Sequence, residues 1–178
     1  YISLTNPKEI SKALDDIKIQ FHLNAEKQSE TFLNGLNVEK EIRKMRISDN
    51  VSQVSTLKQV REAMVAQQRK MGKEKGVVMD GRDIGTVVFP DAELKVFMTA
   101  DINIRAYRRQ QELLANDKLV DLEEVIENLI MRDRIDTTRA ESPLKKADDA
   151  KEIDTSFITL EEQVEEVVRL AISRMVSE

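Results

Sequence analysis

Gly76-Val-Val-Met-Asp-Gly-Arg-Asp-Ile-Gly85 decides the fold class. Its first half is an apolar run without alternation, the pattern of a strand buried on both faces of a parallel sheet. Ligands of such sheets gather beyond the carboxyl ends of the strands. A strand ending at Asp80 would put Asp80, Arg82 and Asp83 at that end. Arginine offers a planar fork to phosphate, and a carboxylate accepts from a sugar hydroxyl or an exocyclic amine, so a turn carrying both suits a nucleotide. A plain strand end with a surface ion pair is the competing reading of this segment alone.

Upstream, Leu57, Val60, Met64 and Met71 fall at helical spacing in a stretch that turns helical from Glu39, which predicts one long amphipathic helix ending near Gly72. Ile17-Lys-Ile-Gln-Phe-His-Leu23 alternates with period two, and Asn34-Gly35 is a hairpin signal. Residues 17–38 are therefore expected to form a small antiparallel sheet, preceded by a short helix over 7–16. Downstream, Leu94-Lys-Val-Phe-Met98 is a second core strand, with no helix expected between it and Asp80. Residues 102–116 and 121–139 read as two charged helices joined at Asn116-Asp-Lys118, and residues 150–153 as a third, short strand ending at Asp154. Thr159 with Glu162 forms a capping box before a last helix whose Val164, Val167, Val168, Ala171 and Met175 share one face. The fold class is α/β, a parallel sheet with flanking helices plus a small antiparallel lobe. Three core strands are few for a covered parallel sheet, so its start is expected upstream of Tyr1.

The chain has 178 residues, 34% of them charged, and a net charge of -5, which argues against a nucleic-acid binder working through bulk positive charge. It has no cysteine, so disulfides, thiolate metal sites and cysteine nucleophiles are excluded. No apolar run approaches the ~20 residues that span a bilayer, and Tyr1-Ile-Ser-Leu-Thr5 lacks the features of a signal peptide. A cytoplasmic protein with no membrane partner is the expectation. His22, the only histidine, belongs on the solvent face of an alternating strand, and no metal ligand set is expected. No helix sustains heptads, so a monomer is expected.

Arg132-Asp-Arg-Ile-Asp-Thr-Thr-Arg139 places Arg132 and Asp136 at i, i+4 and Asp136 and Arg139 at i, i+3, all able to share one helical face. Taken alone, this pattern reads as an exposed lattice of ion pairs. Arg105, Arg108 and Arg109, one helix earlier, change the balance. Such a local concentration of arginines in an acidic chain fits a cover that closes on polyphosphate. Ser52 and Arg61 are weak signals, by default a cap and a solvated helix arginine. Neither Gly-x-x-x-x-Gly-Lys-Ser/Thr nor Gly-x-Gly-x-x-Gly occurs, and Gly72-Lys73 is followed by Glu74.

Asp80-Gly-Arg-Asp-Ile-Gly-Thr-Val-Val-Phe-Pro-Asp91, with Val60-Arg-Glu-Ala63, Arg132-Asp-Arg-Ile-Asp136, Ser142-Pro-Leu144 and Ala147-Asp-Asp149 in order around it, strongly resembles the bacterial cytidylate kinases from residue 15 to the end. The resemblance implies a nucleoside monophosphate kinase fold in which residues 1–56 form the CMP-binding lobe. Residues 57–178 would then be the kinase core, with an arginine-rich lid over 105–145. It implies transfer of the γ-phosphoryl group of ATP, with Mg2+, to CMP or dCMP, and no nucleic-acid partner. Ser52, Arg61, Asp83 and Arg139 would face cytosine, Arg132 and Asp136 the ribose and phosphate, and Arg82 the phosphate, with Asp80 among the substrate-binding residues. Arg82, Arg105, Arg108, Arg109 and Arg132 would stabilise charge during transfer, the three from the earlier helix as part of the lid.

Such kinases begin with a strand, a glycine-rich phosphate loop and an Asp-(Thr/Ser)-Gly-Ala-x-Tyr-Arg segment, none of which occurs in this sequence. A fragment without turnover is the expectation. Its alternative is a non-catalytic module that binds cytidine nucleotides. A kinase of UMP or AMP is disfavoured by Gly81-Arg-Asp-Ile-Gly-Thr86 and the hairpin, and a purely helical structural protein by the strand signals.

Overall fold

The computed structural model describes residues 3–115 and 118–176, with the side chains of Met45, Ser48, Asp49 and Ser52 outside that set. The chain divides into two compact units, Tyr1–Lys75 and Gly76–Glu178.

The first unit begins with α1 (Pro7–Asp15), started by the Asn6 side chain accepting from the Lys8 amide and by proline at the first helical position. Then β1 (Ile19–Leu23), β2 (Ser29–Leu33) and β3 (Leu36–Asn37) form the expected antiparallel sheet in the order β1-β2-β3. Asn34 and Gly35 turn β2 into β3 with φ of 51° and 82°. Both angles are positive, as a tight hairpin turn requires. His22 is exposed on β1, its ring edge-on to Phe32 at 4.8 Å.

The single long helix expected up to Gly72 is instead two, α2 (Met45–Ser55) and α3 (Lys58–Met71). The break has a local cause. Thr56 turns its hydroxyl back onto the Gln53 carbonyl at 2.7 Å, and Leu57 adopts extended backbone before α3 starts.

In the second unit, β4 (Val96–Thr99) and β5 (Lys151–Asp154) pair in parallel, with Val96 opposite Lys151 and Thr99 opposite Asp154. Between them, α4 (Ile102–Leu114) packs on α5 (Leu122–Thr138), and Ala106, Leu113, Val125 and Ile153 are buried. Asn116 and Asp117 of the expected joint lie outside the described residues. Beyond the strands' carboxyl ends, Thr155 donates its amide and its hydroxyl to the Thr99 carbonyl at 2.7 and 2.9 Å, and Ser156 Oγ accepts from the Asp101 amide at 2.8 Å. These bonds account for two buried hydroxyl residues. The last helix, α6 (Leu160–Met175), opens with the capping box read from Thr159 and Glu162. Its Leu160, Val164, Val168 and Ile172 stay exposed.

Two expectations fail in this unit. Residues 76–80 do not form a strand: they pair with no ladder among the described residues, and Val78 is 98% exposed. An apolar run reports a tendency toward burial, whereas strand pairing needs a neighbour. The stretch between Asp80 and Leu94, expected to hold no helix, contains one π-helical turn over Ile84–Val88.

Candidate functional site

The π turn positions the first site residue. The Asp83 carbonyl accepts from the amides of Thr86, Val87 and Val88 at 3.3, 2.9 and 3.3 Å, and Phe89 donates to the Ile84 carbonyl at 2.8 Å. Val88 beneath it is 1% exposed and anchors the turn in the core. Asp83 is itself buried, while Asp80 and Arg82 lie exposed on the approach to the turn.

The last turn of α5 supplies the next group. Asp136 and Arg139, whose spacing taken alone reads as an exposed lattice, are buried, their side chains 6% and 3% exposed. The reason is tertiary. Asp136 accepts from Arg82 Nε at 2.9 Å, which joins α5 to the Asp80–Asp83 turn, and from Arg139 Nη1 at 3.4 Å. Arg139 then folds over the helix end, its Nε and Nη2 donating to the Ser142 carbonyl at 2.9 and 2.7 Å. Ser142 has a φ of 50°. The Leu144 amide returns to the Asp136 carbonyl at 2.7 Å, closing this turn.

Arg132, one turn earlier on α5, is half-buried, and its Nε has no hydrogen-bond partner among the described residues. Burial is the main reason its guanidinium binds its proton less tightly than an ordinary arginine, and the charge of Arg82 is the next; Arg109 acts the same way more weakly, while Asp136 opposes. The guanidiniums of Arg82 and Arg109 thus both repel that of Arg132. Such an arrangement is favourable when an anion arrives.

The other two arginines of α4 point elsewhere. Arg105 makes a two-pronged pair with Asp133 of α5 at 2.6 and 2.9 Å, and that bond holds its proton more tightly than usual. Arg108 donates to the Thr155 carbonyl at 2.6 Å and to Thr155 Oγ1 at 3.3 Å, tying α4 to the end of β5. Arg109 also pairs with Glu112 at 2.7 Å. Sequence reasoning did not find these internal partners, because Asp133 and Thr155 are visible as partners only once α4, α5 and β5 are packed.

Arg61 lies half-buried on α3 in the first unit; Ser52 lies on α2 with its side chain outside the described residues. The second unit therefore carries Arg82, Asp83, Arg109, Arg132, Asp136 and Arg139 on three elements, the π turn with its approach, α4, and α5 with its C-cap. Among the described residues no three His, Cys, Asp or Glu side chains converge as metal ligands, and no helix is long and apolar enough to cross a membrane.

An α/β unit with a cationic cluster beside two buried carboxylates has the makings of a nucleotide-handling protein. The family model for cytidylate kinase matches residues 2–173. The chain is 56% identical over 177 residues to the cytidylate kinase of Cytophaga hutchinsonii, covering 99% of this chain and 76% of that protein. It is 59% identical to the cytidylate kinase of Parabacteroides distasonis, over 88% of this chain and 69% of that protein. With the cytidylate kinase of Flavobacterium psychrophilum the figures are 52%, 94% and 74%. The chain belongs to the cytidylate kinase family.

Proposed function

We propose that the chain serves the transfer of the γ-phosphoryl group of ATP to CMP or dCMP, giving CDP or dCDP. The observation that carries the reading is the half-buried Arg132 guanidinium, its Nε without a hydrogen-bond partner among the described residues, which feels the charges of Arg82 and Arg109 and of the buried Asp136. A dianionic phosphate relieves that repulsion, and phosphoryl transfer depends chiefly on positioning and charge neutralisation. Mg2+ comes with ATP, held largely by the phosphates, and offsets part of their charge.

Cytosine presents an amine at C4 beside a ring acceptor, and uracil reverses both. Asp83 accepts from the amine, while Arg61, Ser52 and Arg139 complete the reading of the base. Asp136 and Arg132 face the ribose and phosphate, with Asp80 on the exposed approach. Residues 1–56 act as the lobe that takes CMP and residues 57–178 as the core, whose segment 105–145 works as the lid. Arg105 and Arg108 then act in the lid only after giving up Asp133 and Thr155, so their first contribution is to hold α4 in place. We place the activity in the cytoplasm, in a monomer with no nucleic-acid or membrane partner.

The sequence holds no Gly-x-x-x-x-Gly-Lys-Ser/Thr loop, so residues 1–178 on their own are expected to bind CMP without turning over ATP. Calorimetric titration of the chain with CMP and with UMP tests the base-reading half. CMP should bind more tightly, and Asp83→Asn should narrow the ratio by about tenfold or more, since the carboxylate is replaced by a group that suits uracil as well. Equal binding of CMP and UMP by the unaltered chain sinks the reading. Brisk ATP-dependent phosphorylation of CMP by these residues alone sinks the expectation of inactivity.

A further inference from the structure

Lys95 is the most enclosed lysine whose partners can be traced. Its side chain is 9% exposed, although it stands just before β4 and could have reached solvent. The ammonium donates to both carboxylate oxygens of Asp149, at 2.9 and 2.8 Å, and to the Pro90 carbonyl. The stem lies along Gly85, where a Cβ would stand 3.4 Å from Lys95 Cδ and 3.5 Å from Cγ. One side chain thus touches the interior of the π turn at Gly85, the chain leaving that turn at Pro90, and the segment that leads into β5 at Asp149. An ammonium has three donors, and here all three are taken, which leaves little freedom for the turn to drift.

The π turn is the support of Asp83. Its carbonyl collects three amides of the turn, so any rotation of residues 84–88 re-aims the Asp83 side chain. A single π turn has no neighbouring turns to stiffen it, and its geometry must be fixed from outside. Beside the core anchor at Val88, Lys95 is an outside contact that meets both its middle and its exit.

We infer that Lys95, clamped by Asp149, is a positioning residue that sets the aim of Asp83 and through it the discrimination of cytosine from uracil. This inference rests on the base-reading role given to Asp83 above. Lys95 touches no nucleotide; it acts through the turn. Loss of the clamp therefore weakens CMP more than UMP, because only the cytosine amine needs the carboxylate in one place.

The experiment uses the 178-residue chain with Lys95→Met, Lys95→Arg and Asp149→Asn. Titrations with CMP and UMP give the ratio of affinities, and amide hydrogen exchange without nucleotide follows Thr86, Val87 and Val88 against the β4–β5 ladder. Lys95→Met should reduce the CMP to UMP ratio about tenfold and speed exchange at those three amides by a similar factor while the ladder amides hold. Lys95→Arg should keep most of the ratio, and Asp149→Asn should fall between. A merely structural lysine would lower both affinities equally and speed exchange throughout the unit, and that result overturns the inference. An unchanged ratio in Lys95→Met, with the unaltered chain still preferring CMP, overturns it alone. If the unaltered chain shows no preference, the base-reading role falls and the selectivity claim with it, while the exchange data still decide whether Lys95 holds the turn.

Discussion

Replacing Asp136 by alanine tests whether the charges at the end of α5 are a buried unit. Asp136 is joined to Arg139, whose side chain is 3% exposed, and to Arg82, whose side chain is 44% exposed. Removing the carboxylate takes a charged partner from the buried Arg139 cation, whose Nε and Nη2 stay on the neutral Ser142 carbonyl. Breaking a buried pair in this way costs about 3–5 kcal/mol, and the 3.4 Å separation places this case near the low end. The Arg82 pair, half in water, is screened, so Arg82→Ala should cost only about 0.5–1 kcal/mol. With a urea slope of about 2 kcal/mol/M, the midpoints should fall by about 1.5 M for Asp136→Ala and by at most about 0.5 M for Arg82→Ala. Far-ultraviolet circular dichroism along a urea gradient reads both. The double change Asp136→Ala with Arg139→Met removes the stranded charge and should recover much of the loss. If Asp136→Ala shifts the midpoint no more than Arg82→Ala, or the double change is worse than the single, burial of this pair has been misjudged.

Glu39 gives a pH prediction. The Thr31 hydroxyl is the main cause that holds its pKa below the ordinary 4.5, followed by Arg43 and then by the Thr31 amide, which donates to the carboxylate at 2.9 Å. A depressed folded pKa means that the contribution is complete above the unfolded value and is lost as pH falls through the folded one. Urea midpoints taken from pH 7 downward should therefore fall more steeply below about 4.5 in the native chain than in Glu39→Gln; parallel curves would contradict this. Gly35 offers a conformational test, since its φ is 82° and a Cβ would meet nothing within 4 Å. Gly35→Val should destabilise the hairpin unit by about 1–2 kcal/mol and Gly35→Asn by much less, and equal losses would point to a steric cause instead.

The elements legible in the sequence carry their signal locally. Asn34-Gly35 and the Thr159–Glu162 box each specify a backbone geometry through their own side chains, and both stand where they were read. Val77-Val78-Met79 states only that burial would be favourable, and no strand among the described residues pairs with it. Gly85-Thr-Val-Val88 has no helical period, so the π turn left no trace in the pattern. Spacing on α5 put Asp136 near Arg139, but did not tell that both are buried, nor that Arg82, fifty-four positions away, would be the shorter contact. Arg108 shows the same limit. Its partner is the backbone of Thr155, which no side-chain pattern announces.

The parallel pairing of β4 with β5 has a consequence for the order in which this unit assembles. Residues 100–150 separate the two strands, and closing a flexible loop of that length costs about 3.5 kcal/mol in chain entropy. The ladder itself is only four residues deep. Pairing is therefore a late event, reached once α4 and α5 have folded against each other and shortened the path. Helical signal in a refolding experiment should appear before protection of the Lys151 and Thr155 amides, which bond to Lys95 and Thr99 across the ladder. The Arg108 bond to Thr155 spans that closure: it turns a helix that formed early into the latch that keeps a late strand in place.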